Sequence, residues 1–331
     1  MSRSYVRIVP GSPNFMSPKE SRSVFHAFYS SFLKNGILLL CLAMLGWAGN
    51  TIAGRMSTGE MSPMVVVFLR WFIISIFLIL FLNKKLITSS NLIHGKFLWL
   101  CLMGSLGLTG FNALFYIAAQ NTTAINLGII QGIMPAVILL GSVILFKENV
   151  NATKIMGLII AFLGVIVVVS QGDYEKLILL SFNYGDVVML CACFFYSGFT
   201  LGLKNKPSID PIVLMTYFSL SALIFSIPLL ITEHYLGGIQ LPLTRTAWIT
   251  ILYIAFVPSF LAQVFFIRGV ELVGASKAGL FINFLPIFAA ILGVLLLGEK
   301  LYIYHLISLF IVLFGVYLFM ILGDKEKKIS G

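Results

Sequence analysis

The sequence predicts an all-α integral membrane protein, with ten transmembrane helices arranged as two inverted five-helix repeats. Three observations predict it. The 331 residues are 59% hydrophobic and only 10% charged, where ordinary globular domains carry about 25% charged residues, so lipid has to be the solvent for most of the chain. Ten apolar runs are each long enough to cross a hydrocarbon core about 30 Å thick, which takes roughly 20 residues of helix. The chain also repeats itself: FYIAAQNTTAINLGIIQGIMPAVILLGSVILFKEN, starting at Phe115, returns from Phe266 as FIRGVELVGASKAGLFINFLPIFAAILGVLLLGEK. Slid by 151, Ala124 falls on Ala275, Gly128 on Gly279, Pro135 on Pro286, Glu148 on Glu299 and Gly164 on Gly315.

Residues 1–34 form a polar, basic cytoplasmic tail, with Phe25, Phe28, Tyr29 and Phe32 on one stripe of an interfacial helix. The ten runs lie near 36–54, 63–82, 98–118, 124–146, 153–171, 184–203, 211–232, 248–267, 275–297 and 302–322. They are too long for barrel strands, and lipid tolerates only helices or closed barrels. The first repeat is expected over 35–172, the second over 183–322, and a second cytoplasmic tail over 323–331. Alternating the loops places sixteen Lys and Arg on the N-terminal side and four (Arg55, Lys176, Arg245, Lys300) on the other. The positive-inside rule then puts both termini in the cytoplasm. Five crossings per repeat is an odd number, so the second repeat enters the membrane from the opposite side.

Several function classes drop out. The net charge of +10 is spread through short connectors rather than gathered on one face, which argues against nucleic acid. No phosphate loop is present: Gly269 and Gly274 are followed by Ala275-Ser276 instead of Lys-Ser/Thr, so no ATP drive is expected. The cysteines at 41, 101, 191 and 193 suit no zinc spacing and the histidines at 26, 94, 234 and 305 are scattered, so neither metal nor other cofactor is expected. Asn121-Thr122-Thr123 and Asn151-Ala152-Thr153 match glycosylation acceptors by chance.

GWAGNTIAGR at 46–55, SP at 62–63, LRW at 69–71 and FLGV at 162–165, with YGDVVML at 184–190, GASKAGLFINFLPIFA at 274–289 and LLGEK at 296–300, resemble the drug/metabolite transporter superfamily with two EamA-type domains. The resemblance covers roughly residues 36 to 322. Each motif is weak alone; their order and duplication are specific. The first helix pair repeats as well, at offset 149, pairing Gly49 with Gly198 and Thr51 with Thr200. The resemblance implies a carrier of small metabolites, often an exporter of amino acids or related compounds, in a bacterial inner membrane. A lipid-modifying membrane enzyme and a non-transporting subunit are the competing classes. No set of acids, histidines or nucleophiles converges for the former, and the latter has no use for an inverted repeat.

Candidate substrate-binding residues are the polar and aromatic insertions in the spans: Trp47 and Asn50 in the first, Arg70 in the second, Asn112 and Tyr116 in the third. Gln131 in the fourth, Tyr196 in the sixth, and Lys277 and Asn283 in the ninth complete the set. Arg70 lies about seven residues, or roughly 10 Å, inside its span, where an ionisable group marks a site or a pairing partner. Two readings stand: it attracts an anionic group of the substrate, or it is a structural arginine held by carbonyls. Each amide likewise serves either as interhelical glue or as a cavity hook. Pro135 and Pro286 sit in the middle of equivalent spans, as static kinks or as hinges for alternating access. Asp186 and Glu271 are the acids nearest to span ends, and no acid lies clearly mid-membrane, which favours facilitated diffusion or exchange over proton coupling. Glu148 and Glu299 are expected to cap loops and pair with Lys147 or Lys300. Small-residue faces on the third and fifth spans leave a homodimer contact open.

Overall fold

The computed structural model describes residues 34–147, 151–175, 179, 183–273, 278 and 281–318. Everything regular among them is helical. Eight helices are long and apolar enough to cross a membrane: α1 (Gly36–Met56), α2 (Pro63–His94), α3 (Phe97–Asn121), α4 (Ala124–Phe146), α5 (Ala152–Val169), α6 (Tyr184–Asn205), α7 (Pro211–Gly237) and α8 (Arg245–Val273). Two shorter apolar helices follow, α9 (Phe284–Leu297) and α10 (Ile303–Tyr317). In the ninth expected run, residues 275–277, Lys277 among them, and residues 279 and 280 fall outside the described residues. Glu148 and both expected tails up to residue 33 and beyond 318 lie outside them too.

The helices begin where the sequence supplies caps. Side chains of Asn35, Thr123, Asn151, Asn183, Asp210 and Thr244 accept from backbone N–H groups of the first turns they precede, satisfying donors that a helix leaves open. Thr123 and Asn151, which belong to the two chance glycosylation patterns, are therefore helix caps. On the outside of the bundle, Leu80, Phe81, Ile144, Leu295 and Phe310 are each more than 60% exposed. That apolar belt suits hydrocarbon and would be untenable in water.

The packing maps onto itself when the halves are exchanged. α1 packs on α8 and α9; α6, its repeat equivalent, packs on α3 and α4. α2 meets its own equivalent α7, as α4 meets α9 and α5 meets α10. The α5–α10 crossing shows the symmetry at atomic level. A Cβ on Gly164 would lie 2.8 Å from Val312 N and 3.0 Å from Ser308 O; one on Gly315 would lie 2.4 Å from Ala161 N and 2.6 Å from Gly157 O. Each contact is the other displaced by 151 residues, and only a residue without a side chain permits backbones to approach so closely.

Two irregularities also recur. α3 carries a π-helical segment at Met103–Gly110 and α8 one at Val257–Leu261; Gly110 and Leu261 are equivalent positions. α4 is interrupted at Gly132-Ile133, and the same break at Ile282-Asn283 precedes α9. Pro135 and Pro286 consequently do not bend continuous helices. They sit in the first turn of a new segment, Met134–Phe146 or Phe284–Leu297, where a missing N–H costs no hydrogen bond. Pro228 lies inside α7, and Pro258 within the π segment of α8. α2 outruns its expected length by a dozen residues, and α8 extends past both expected ends, because helix continues beyond the apolar stretch that hydropathy detects.

Connectors sort to two ends. At one, Ser62 N–H donates to Gln240 O (3.1 Å), Gln240 reaches Gly59, Thr244 reaches Glu60, and Glu299 accepts from Ala124 and Ile125 N–H at 2.8 and 3.0 Å. Glu299 thus caps α4 across the halves rather than its own loop. At the other end Lys206 pairs with Glu271 at 2.9 Å, Lys96 reaches the carbonyl of Asn205, and Gly36 packs on Val273.

Candidate functional site

A cavity lies where the two halves meet, and it is built from repeat-equivalent pairs. Trp47 faces Tyr196, Asn112 is matched by Gln263, Leu108 by Ser259, Gln131 by Ile282 and Met134 by Leu285. Its space for water-sized spheres is about 40 Å³, enough for a few waters and too little for a metabolite. Both π-helical segments border it. A π turn shifts the register of a helix by a fraction of a turn and is found disproportionately at functional sites; here it aims Ser259 and Asn112 at one point.

That point is Arg70. The residue is 4% exposed. Nε donates to Ser259 Oγ at 2.9 Å, and Nη1 to Asn112 Oδ1 at 2.5 Å and Tyr116 Oη at 2.8 Å. The plane also lies against the rings of Trp71 and Tyr116, at 5.0 and 5.6 Å from their centroids. The supports are held in turn. Ser259 Oγ donates to Ile254 O at 2.5 Å, a bond to the residue five back that π geometry makes available; Asn112 Nδ2 donates to Leu108 O at 2.6 Å; Tyr116 Oη donates to Asn50 Oδ1 at 2.8 Å. Among the described residues no carboxylate reaches Arg70. Arginine keeps its charge in proteins, so the cavity holds a buried cation with no anion beside it among the described residues.

The rest of the lining offers donors and ring faces. Trp47 Nε1 is tied to Pro258 O at 3.2 Å, which fixes its ring edge-on to Tyr196 with centroids 5.6 Å apart; Phe111 lies 5.0 Å from Tyr196 on another side. Tyr196 Oη donates to Gln263 Oε1 at 3.3 Å, leaving Gln263 Nε2 buried without a partner. Trp71 Nε1 is buried and unpartnered as well. Orphaned buried donors cost about 1–3 kcal/mol each; these two line a cavity where a ligand could satisfy them.

Of the candidate residues, Trp47, Asn50, Arg70, Asn112, Gln131 and Tyr196 come together at the cavity. Tyr116 stands behind it as the clamp joining Arg70 to Asn50. Gln131 returns its Nε2–H to Leu127 O at 3.0 Å, as helix-satisfied polar groups do. Asn283 adjoins the lining at the break before α9, its Oδ1 buried without a partner. Lys277 lies outside the described residues. Pro135 and Pro286 flank the cavity through their neighbours Met134 and Leu285. Sequence reasoning passed over Ser259 and Trp71. A serine beside a proline in an apolar run, Pro258-Ser259, was the available signal.

A family model for EamA-like transporters matches residues 34–170 and 183–321. An uncharacterized transporter of Bacillus subtilis, YyaM, is 28% identical over 65% of this chain and 70% of its own length. An uncharacterized transporter of Archaeoglobus fulgidus is also 28% identical, over 85% of this chain and 96% of its own. A protein of known crystal structure is similar in fold at 16% identity, with a TM-score of 0.62 over 88% of this chain and 98% of that one. With both of its halves matched, the chain belongs to the EamA-like transporter family.

Proposed function

We propose that this membrane transporter is a secondary carrier of a small metabolite bearing a carboxylate, an amino acid or related compound, working by alternating access between two inverted five-helix halves. One observation carries the substrate class: Arg70 is buried at the interface of the halves with neutral acceptors and, among the described residues, no counter-ion. A carboxylate offers about four lone-pair sites, matching a guanidinium edge and the unpartnered N–H groups of Trp71 and Gln263. Trp47, Phe111 and Tyr196 supply an apolar, aromatic wall for the remainder.

Alternating access is supported by the exchange symmetry of the packing and by the cavity's place on that axis, the arrangement of repeat-built carriers. The cavity's small volume reads as a closed conformer that must part to admit substrate. The two sets of connectors and the distribution of Lys and Arg support ten spans, with α9 and α10 as the last two, and both termini on the cytoplasmic side of a bacterial plasma membrane. Export is the direction the sequence resemblance implies.

Thermal unfolding of the purified protein with a panel of carboxylates and their neutral amides tests the reading. A ligand at 100 times its Kd stabilises by about 2.7 kcal/mol. Stabilisation by a carboxylate, absent with its amide and absent in Arg70→Gln, is the expected result. Equal response to acid and amide contradicts it.

A further inference from the structure

A second buried polar system lies at the Glu299 end of the bundle, apart from the cavity. Asp186 is 0% exposed, Asn126 2% and His305 2%. His305 Nδ1 accepts from Tyr302 N–H at 3.0 Å, so the proton of the neutral ring sits on Nε2, which donates to Asn126 Oδ1 at 3.1 Å. That contact fixes the amide, whose Nδ2 donates to Asp186 Oδ2 at 3.1 Å and Oδ1 at 3.3 Å. Thr122 Oγ1 donates to Oδ1 at 2.5 Å. Every donor in the chain thus runs toward one carboxylate, and it crosses between halves twice: α10 to α4, then α4 to α6.

Helix capping does not account for Asp186. Asn183 already accepts from Gly185 and Asp186 N–H at the start of α6, and the Asp186 carboxylate turns instead to the other half. Of the neighbouring ionisable groups, Tyr304 also faces Asp186, while Glu299 and Arg55 are engaged elsewhere. From α10, Tyr302 and Tyr304 lie with ring centroids 5.7 and 4.1 Å from His305. Glu299 is held by Ala124 and Ile125 N–H, and Arg55 on α1 donates to Ala119 O at 2.7 Å. Among the described residues no cation pairs with Asp186.

We propose that Asp186, Asn126 and His305 form a proton-binding site set between the two halves. Buried Asp and His linked by hydrogen bonds are the usual parts of membrane proton relays. The step is simple in its balance. A hydronium ion at this end breaks one O–H bond and leaves water as Asp186 Oδ2 forms one, and the Asn126 hydrogen bond to Oδ2 is given up; nothing is oxidised or reduced. Asn126 then keeps only its longer bond to Oδ1, and the tie joining α4 to α6 loosens. Proton occupancy therefore sets how firmly the halves are latched at this end.

The proton is the ligand, so the test needs no substrate. Infrared difference spectra of the full-length protein in lipid are recorded across about pH 5 to 8, the range in which histidine ordinarily titrates. Wild type should gain the carbonyl stretch of a protonated carboxyl on acidification. The band should move on labelling with 13C-aspartate, which identifies it without any variant, and it should be missing in Asp186→Asn. Asp173 and Asp210 are exposed and cannot stand in for a buried band. In His305→Ala the pH midpoint should move by roughly half a unit or more, since one hydrogen bond in the chain is lost. No aspartate band in wild type, or its persistence in Asp186→Asn, overturns the site; an unmoved midpoint in His305→Ala overturns the relay.

Discussion

Arg70 is expensive to bury, and the chain surrounds it with neutral acceptors that each have a second bond to keep them in place. Removing one shows what that arrangement is worth. Tyr116→Phe strips an acceptor from Nη1 and a donor from Asn50 Oδ1 together, and should lower stability by about 1–3 kcal/mol. Thermal unfolding in detergent reads this, and an unmoved midpoint would mean that water replaces the hydroxyl. Arg70→Lys should rescue little of the binding lost in Arg70→Gln. An ammonium cannot present separate, coplanar donors to Ser259 and Asn112, and ligand-induced stabilisation by a carboxylate measures the difference. Arg70, Asn112 and Tyr116 were legible in the sequence because polar groups within long apolar runs must find partners in lipid. Ser259 was not. Its role depends on the Ile254 carbonyl, which Pro258 leaves without its helical N–H donor, and only the proline beside it hints at that.

The irregular segments of the helices border the cavity. Period and hydropathy located the long apolar runs, since both signals extend over about 20 residues. Neither signal resolves a register shift of one residue, so the paired π segments and the breaks before Pro135 and Pro286 emerged only in the fold. Pro135 lies at the start of a segment, where alanine fits the backbone without strain. Pro135→Ala combined with Pro286→Ala should therefore leave thermal stability within about 1 kcal/mol while slowing turnover more than it weakens binding. Equal losses of rate and affinity would argue against a hinge. The α5–α10 crossing is less forgiving. Gly164→Val and Gly315→Val each drive a side chain into partner backbone, and each should destabilise by about 2 kcal/mol or more through overpacking. Similar losses in the two variants, measured by unfolding, are expected from their equivalent surroundings; tolerance of either would contradict the crossing.

At the scale of the molecule, the 151-residue echo becomes an axis. Helix contacts, π segments, breaks and glycine crossings all recur under exchange of the halves, and the cavity lies on that axis with matched residues on either side. The departures from symmetry lie at the cavity and at the Glu299 end of the bundle. Arg70 has no charged counterpart on α7, Gln131 opposes Ile282, Ser259 opposes Leu108, and the Asp186–Asn126–His305 chain has been built at one end. The sequence reading discounted proton coupling because no acid lay mid-span. Asp186 and His305 are far apart along the chain, and only folding shows that Asn126 joins them. Orientation is open to direct measurement. Single cysteines at exposed Thr58 and Gln240 should react with a membrane-impermeant thiol reagent added outside intact cells, and a cysteine at Asn205 should not; the reverse pattern would invert the topology.

The central claim is that a buried arginine between two exchangeable halves selects what is carried. Counterflow in vesicles reconstituted with equal amounts of wild type and Arg70→Gln tests it most directly, using the carboxylate that best stabilises the wild-type protein. Charge-assisted hydrogen bonds are worth about 1.5–3 kcal/mol, so flux at subsaturating substrate should fall by roughly 10- to 100-fold in Arg70→Gln. An undiminished flux with unchanged KM would contradict the account.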